Sequence, residues 1–345
     1  MSQEKEKRTE IGEIGEFGLI DRISKSFGHK NPETLVGIGD DAAVIESGAK
    51  VKLVTTDMLV EGVHFDLSYI PLQHLGYKSV AVNVSDIAAM NGKPKQITVS
   101  LGLSNRFSVE AVESFYEGVK FACEDYAVDL IGGDTTSSPT GLIISVTAIG
   151  EASKEQVSYR KNAEENDIIC VTGDLGGALM GLTVLEREKE VFKTNPEMQP
   201  DISAYEYIVK RQLKPSARMD VIFELEEAGV VPTSMIDVSD GLASELFHIA
   251  KQSEVGITIY EDKLPIDEVT YNTAVEFKMD PVTCVLNGGE DYELLFTISQ
   301  TDFEKIKNLP DVSAIGYIDK KENGHKLVTK GGNTVPLQAQ GWKHF

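Results

Sequence analysis

The chain is poor in cysteine, in tryptophan and in positive charge. Among 345 residues the only thiols are Cys123, Cys170 and Cys284, far apart and without a CxxC pair. That excludes a disulfide scaffold, a zinc knuckle and a dithiol redox motif. A sparse, odd count points to a reducing compartment, so a cytoplasmic protein is expected, with Cys123 and Cys170 in the core. Lys and Arg number 33 against 55 Asp and Glu, a formal net charge of −22. Such a chain repels phosphate backbones and anionic lipid, so neither nucleic acid nor membrane is expected as a partner. No apolar run is long enough to span a bilayer, and the opening MSQEKEKRTE lacks the apolar region of a signal peptide. G-x-x-x-x-G-K-[ST], H-E-x-x-H and G-x-S-x-G are all absent, which removes the P-loop, zincin and nucleophile-elbow readings. The histidines (His29, His64, His74, His248, His325, His344) are scattered, which argues against a zinc site.

What remains is an ordinary globular composition, 41% hydrophobic and 26% charged, at a length that suggests two domains. The polar stretch 152–166 marks the expected boundary, giving domains 1–152 and 153–345. Residues 1–12 read as a charged tail. Periodicity predicts helices over 16–27, 72–90 and 108–126, the last capped by Ser108, with strands over 35–38, 43–45, 51–56, 96–103, 128–131 and 142–150. Of these, 128–131 is expected to be buried, and 96–103 and 142–150 to be covered on both faces. The second half predicts strands over 167–172, 235–238, 256–261, 292–299 and 313–318, and helices after Gly173 and over 201–213, 217–228 and 241–252. Alternating strands and helices give an α/β or α+β class. One internal echo links the halves: Val82-Asn83-Val84-Ser85-Asp86 resembles Ile236-Asp237-Val238-Ser239-Asp240.

Two glycine-rich loops are weak signals. Gly37-Ile38-Gly39-Asp40-Asp41-Ala42 fits the loose G-x-G-x-x-A pattern, but two carboxylates fill it and an extended segment follows, against a pyrophosphate turn. Gly173-Asp174-Leu175-Gly176-Gly177 opens a helix and has room for a phosphate; the preferred reading is a tight turn.

The stronger signal is carboxylate. Asp40, Asp41, Asp57, Asp134, Asp237 and Asp240 follow or flank β-rich apolar runs, and Asp86 lies in an apolar helix pattern. Strand ends converge on one sheet edge, where α/β ligand sites form. Carboxylates gathered there repel one another unless cations neutralise them, and hard oxygen donors suit Mg²⁺ or Ca²⁺. The expectation is a site of several Mg²⁺ ions for a polyphosphate.

The same segments carry a resemblance. GIGDDA at 37–42, TTDMLVEGVHF at 55–65, NVSDIAAM at 83–90, GGDTT at 132–136, DVSDGL at 237–242 and GGEDYEL at 288–294 closely resemble the thiamine-monophosphate kinase family, over 16–345. GDDAA alone recurs across the wider superfamily of aminoimidazole ribonucleotide synthetases. The resemblance implies a two-domain aminoimidazole ribonucleotide synthetase-like fold, paired as a homodimer through a β-barrel-like interface of N-terminal domains. It implies ATP-dependent phosphorylation of thiamine phosphate to thiamine diphosphate. Carried over residue by residue, it assigns Asp41, Thr55, Thr56, Asp57, Asp86, Asp134, Asp237 and Asp240 to Mg²⁺. Gly133, Asp134, Arg160 and Ser239 fall to the nucleotide, and His64, Glu290 and Trp342 to thiamine phosphate. No general base or nucleophile is assigned, because the acceptor is already an ionised phosphate oxygen and direct in-line transfer needs none. The alternatives are another ligase of the superfamily, such as aminoimidazole ribonucleotide synthetase, or a non-catalytic Mg²⁺–nucleotide module. The tail and the 187–200 segment have no assigned role.

Overall fold

A computed structural model describes residues 11–26, 30–197 and 200–339. Most of the tail, with Trp342, lies outside those bounds. The first half runs α1 (Ile11–Ser24), β1 (Thr34–Val36), β2 (Ala43–Ser47), β3 (Lys50–Val60), α2 (Leu72–Ala89), β4 (Lys93–Leu103), α3 (Val109–Tyr126), β5 (Asp129–Ser137) and β6 (Ile143–Ser153). Its strands form one sheet in the order β1-β2-β3-β6-β4-β5, antiparallel except for β4–β5. The second half runs β7 (Ile168–Thr172), α4 (Gly177–Thr194), α5 (Glu206–Leu213), α6 (Met219–Glu227), β8 (Ser234–Asp237), α7 (Leu242–Ser253) and β9 (Gly256–Tyr260). It continues with α8 (Glu268–Glu276), α9 (Pro281–Asn287), β10 (Leu294–Ile298), α10 (Gln300–Ile306), β11 (Val312–Asp319), β12 (His325–Val328) and β13 (Thr334–Pro336). These strands form a second, mostly antiparallel sheet, β13-β12-β9-β11-β7-β10-β8. The fold is thus mixed α and β, as the pattern predicts. Neither sheet closes on itself among the described residues.

The apolar patterns explain the layers. Leu-Leu-Phe-Thr-Ile of β10 is buried throughout, because α7 covers one face of the second sheet and α4, α5 and α6 the other. In the first sheet β4 and β6 alternate instead, one face buried and the other half-exposed. The expected two-sided cover is therefore absent in a single chain: α2 and α3 lie on one face only. The 128–131 segment departs further. Val128 is buried, but every residue of β5 is exposed, since this strand is a sheet edge with no layer on either side. Short helices α8, α9 and α10 and the strands β12 and β13 escape sequence patterning because each is too brief to show a period. The 82–86 and 236–240 echo does not mark equivalent structure, for the first copy is mid-helix and the second spans the end of β8 and a loop.

Helix α2 is the joint of the molecule. Fourteen of its residues are buried, and it touches β3, β4, β6 and α3 in the first half and β8, α5 and α6 in the second. It lies against α3 at backbone distance. A Cβ at Gly118 would stand 1.8 Å from the Gln73 carbonyl oxygen, and one at Gly76 2.0 Å from that of Phe115. Gly118→Ala is expected to push α2 and α3 apart at a cost of about 1–3 kcal/mol or more, read as a lower urea midpoint at unchanged slope. An unchanged midpoint would refute this close contact.

Candidate active site

The site forms where the two halves meet along α2. In β3 the side chains alternate, so Thr55 and Asp57 face α2 with Leu53 and Leu59, while Thr56 and Met58 face away. Thr55 Oγ1 donates to Asp86 Oδ2 at 2.5 Å, and the Asp57 amide donates to Asn83 Oδ1 at 3.1 Å. On the neighbouring turn Ser85 Oγ donates to Asp237 Oδ2, also at 2.5 Å, tying α2 to the last residue of β8. Asp41 comes in from the loop before β2. One carboxylate oxygen each of Asp41, Asp86 and Asp237 falls within 4.8 Å of the others.

Burial and mutual repulsion then set the charge state. Burial, and after it the charges of Asp57, Asp237 and Asp41, holds Asp86 well above the usual carboxylate range. Burial first and Asp41 second push Asp57 up to about 6 and Asp237 to about 7. Asp40 is likewise pushed up to about 7. Glu245, in the first turn of α7, is raised by burial and by Asp240, whose amide donates to its Oε1 at 3.0 Å. Arg160 brings positive charge: its Nε and Nη2 donate to the two oxygens of Asp41 at 3.0 and 2.7 Å. A cluster of hard oxygen donors that resist ionising together is what a small divalent cation relieves, so the donor set fits Mg²⁺.

Asp40, Asp41, Asp57, Asp86 and Asp237 line a cleft of about 1600 Å³, which also takes in Thr55, Thr56, Ser239, Asp240, Arg160, His64 and Glu290. Sites for a single small ligand run to roughly 1000 Å³, so this cleft has room for two. Helix α1 borders it, with the Phe17 ring against that of His248, tilted, at 4.3 Å between ring centres. Burial, helped by the Arg160 charge, lowers His248 to about 4, so its ring is neutral at neutral pH. His64 Nδ1 accepts from the Val60 amide at 3.0 Å, so in the neutral ring the hydrogen is on Nε2. Thr56, on the outer pleat, donates through Oγ1 to the Val146 carbonyl at 3.0 Å.

The sequence expectation of strand-end acids needs correction. Asp57 and Asp134 lie within strands rather than at their ends, and only Asp237 ends one; Asp86 lies in helix α2, as its apolar pattern predicts. Gly133 and Asp134 are not brought to this cleft in the single chain. They lie on β5 and line a separate hollow of about 490 Å³ with Val99, Tyr116 and Thr135. Gly133 also has a local steric reason, since a Cβ there would stand 1.9 Å from the Val99 carbonyl oxygen.

Within 288–294 the acids divide their work. Glu290, at φ +64°, reaches the cleft. Asp291 accepts from the Gly176 and Ala178 amides at 2.7 and 3.1 Å, so the start of α4 already holds an anion and the 173–177 loop is the tight turn preferred above. Glu293 is buried against Arg211 and Arg218, each 2.6 Å away.

Sequence reasoning missed Lys78, which is buried beside Glu290, and the Asp66–Lys189–Glu186 group at the cleft wall. A lysine inside the largely apolar 75–84 stretch was the available signal, because an enclosed lysine needs a partner. Lys189 falls in the 187–200 segment, which α4 occupies as far as Thr194.

Comparison with known proteins agrees with this geometry. Residues 39–152 match the family model described as AIR synthase related protein, N-terminal domain. The thiamine-monophosphate kinase of Aquifex aeolicus is 38% identical over 335 residues, covering 97% of this chain and 99% of the relative. That of Bacillus subtilis is 37% identical, covering 96% and 100%. A solved structure of AaThiL complexed with AMPPCP and TMP superposes with a TM-score of 0.84 at 36% identity, covering 98% of this chain and 99% of that one. Hydrogenase maturation protein HypE in complex with ATP, at 20% identity and a TM-score of 0.66, shares the fold. With more than a third of its residues identical across nearly its full length, this chain belongs to the thiamine-monophosphate kinase family.

Proposed function

We propose that the chain transfers the terminal phosphoryl group of ATP to thiamine phosphate, giving thiamine diphosphate and ADP. The observation that carries this reading is the meeting, in one cleft, of Asp41, Asp57, Asp86 and Asp237 with His64 and Glu290. The attacking phosphate oxygen is already anionic, so catalysis reduces to alignment and charge neutralisation. Asp41, Asp57, Asp86, Asp237 and Asp240, with Thr55 and the backbone of Thr56, are proposed to hold Mg²⁺, which when bound offsets the negative charge of ATP and of the acceptor phosphate. Arg160 and Ser239 face the nucleotide in this reading. His64 offers Nε2–H to the acceptor, and Glu290 accepts from the aminopyrimidine of thiamine. Incubation with ATP, Mg²⁺ and thiamine phosphate is expected to yield thiamine diphosphate and ADP in equal amounts. ADP without thiamine diphosphate would contradict it.

Residues 1–152 serve metal, nucleotide and pairing in this reading, and 153–345 complete the cleft. Two copies are proposed to pair through the N-terminal sheet, closing between them the barrel that one sheet leaves open. Its support is the β5 edge, with Leu130 and Ile131 exposed, and the half-exposed outer faces of β4 and β6. Such pairing is a means for Gly133 and Asp134 of one copy to serve the cleft of the other. The free cysteines and the absence, among the described residues, of a helix apolar enough to cross a membrane accord with a cytoplasmic protein.

Three outcomes follow from this reading. Asp57→Asn and Asp86→Asn keep shape but remove charge, so turnover should drop at least about a hundredfold while the metal-free protein melts no lower than the parent. Near-parental turnover in either variant would exclude a metal role. Light scattering should give a dimer mass, and mixing inactive Asp86→Asn with inactive Asp134→Asn chains should restore part of the activity. A monomer mass, or no recovery on mixing, would contradict assembly across the pair. Raised carboxyls keep protons in the folded state that the unfolded chain has lost, so they cost stability as pH rises from about 4 through about 7. Mg²⁺ competes with those protons. The gain in Tm from Mg²⁺ with AMPPCP should therefore be larger at about pH 8 than at about pH 5.5, and an equal gain at both would contradict it.

A further inference from the structure

Lys78 is 1% exposed, among the most enclosed charged side chains of the molecule. Of the residues one turn away on α2, Leu75, Ala81 and Val82 are apolar and only His74 is polar. Its ammonium reaches across to the second half, donating to the Gln212 carbonyl at 3.2 Å and pairing with Glu290 Oε1 at 2.9 Å. The other oxygen, Oε2, accepts from Gln212 Nε2 at 2.7 Å. Both oxygens of Glu290 are thus acceptors held from behind, while the side chain keeps 28% exposure on its cleft side. The backbone is held as well, in a left-handed turn whose amide donates to the Ser239 carbonyl at 2.7 Å.

We propose that Lys78 is the positioning residue for substrate recognition. By gripping Glu290 from the N-terminal half, it fixes that carboxylate as an acceptor aimed into the cleft, and so makes the site selective for the N–H groups of the aminopyrimidine. The inference rests on the reading that Glu290 contacts thiamine phosphate. The physical reason for a lysine is that a carboxylate carries no donor. With its far side saturated by an ammonium and an amide, its remaining lone pairs can only accept, and a ligand lacking the amine leaves them unpaired. Lys78 touches no metal-binding carboxylate named above and no nucleotide residue, so its effect is expected on one substrate alone.

The test compares the parent with Lys78→Met and Glu290→Gln by calorimetric titration. The ligands are thiamine phosphate, its analogue lacking the exocyclic amine, and AMPPCP with Mg²⁺. Lys78→Met is expected to weaken thiamine phosphate binding by roughly ten- to a hundredfold, to leave the analogue unaffected, and so to abolish discrimination between the two. AMPPCP binding should stay within about twofold. Because Glu290 remains partly solvated, the variant is expected to fold. Should its melting show otherwise, Lys78→Gln, which keeps a donor without the charge, takes the same titrations. Retained discrimination in the lysine variant, beside its loss in Glu290→Gln, would overturn the proposal and leave the Glu290 reading standing. Retained discrimination in Glu290→Gln would overturn both. Equal loss of AMPPCP and thiamine phosphate binding in the lysine variant would reduce Lys78 to a general structural role.

Discussion

The mutual repulsion of Asp41, Asp57, Asp86 and Asp237 governs this molecule. Four carboxylates drawn from a loop, a strand, a helix and a strand end meet in a buried junction, and burial already opposes the ionisation of Asp57, Asp86 and Asp237. A fold gains nothing in stability from such a cluster, since buried like charges cost several kcal/mol unless neutralised. The protein tolerates it by holding three of the four with a donor, Thr55 on Asp86, Ser85 on Asp237 and Arg160 on Asp41, and by fixing the backbone of Asp57 through Asn83. Those bonds orient the oxygens without cancelling their charge, apart from that of Arg160. The remaining demand for positive charge is what suits the cleft to cations and polyphosphate together.

The rest of the architecture serves this junction. Helix α2 is clamped to α3 at backbone distance and enclosed by elements of both halves, so Asn83, Ser85 and Asp86 have little freedom to drift. Behind the opposite wall, Glu293 pairs with both Arg211 and Arg218 while Thr172 donates to it at 2.5 Å. Glu293 itself is buried within that network, which braces the 288–294 turn that presents Glu290. One side of the site is therefore crowded by like charges, whereas on the other Glu293 sits between opposite ones. The contrast separates groups that work on ligands from groups that hold shape.

Much of this was legible in the sequence, because motif residues come with characteristic neighbours. The acids at 41, 57, 86 and 237 were recognisable as a group, and the structure does gather them. Their local settings were not legible: Asp57 sits mid-strand because β3 extends to Val60, past the run whose apolar alternation is visible. The exposure of β5 was misjudged for a different reason. Leu130 and Ile131 read as core, yet apolar side chains on an edge strand look the same in sequence as those in a sheet centre, and only topology separates them. Lys78 stands out in its stretch, but its partner Glu290 was illegible because it lies more than two hundred residues away. A pairing across α2 leaves no periodic trace, whereas the Ser108 cap, local by nature, was read correctly and its hydroxyl accepts from the Ala111 amide.

The account stands most directly on the carboxylate cluster as a seat for divalent ions. Mn²⁺ can replace Mg²⁺ at oxygen sites and its bound ions can be counted by water-proton relaxation. Titration in the presence of AMPPCP is expected to give more than one bound Mn²⁺ per chain, with at least one lost in Asp237→Asn. A single ion, bound equally well by the parent and by Asp237→Asn, would mean that the nucleotide alone carries the metal and that the cluster does not hold it.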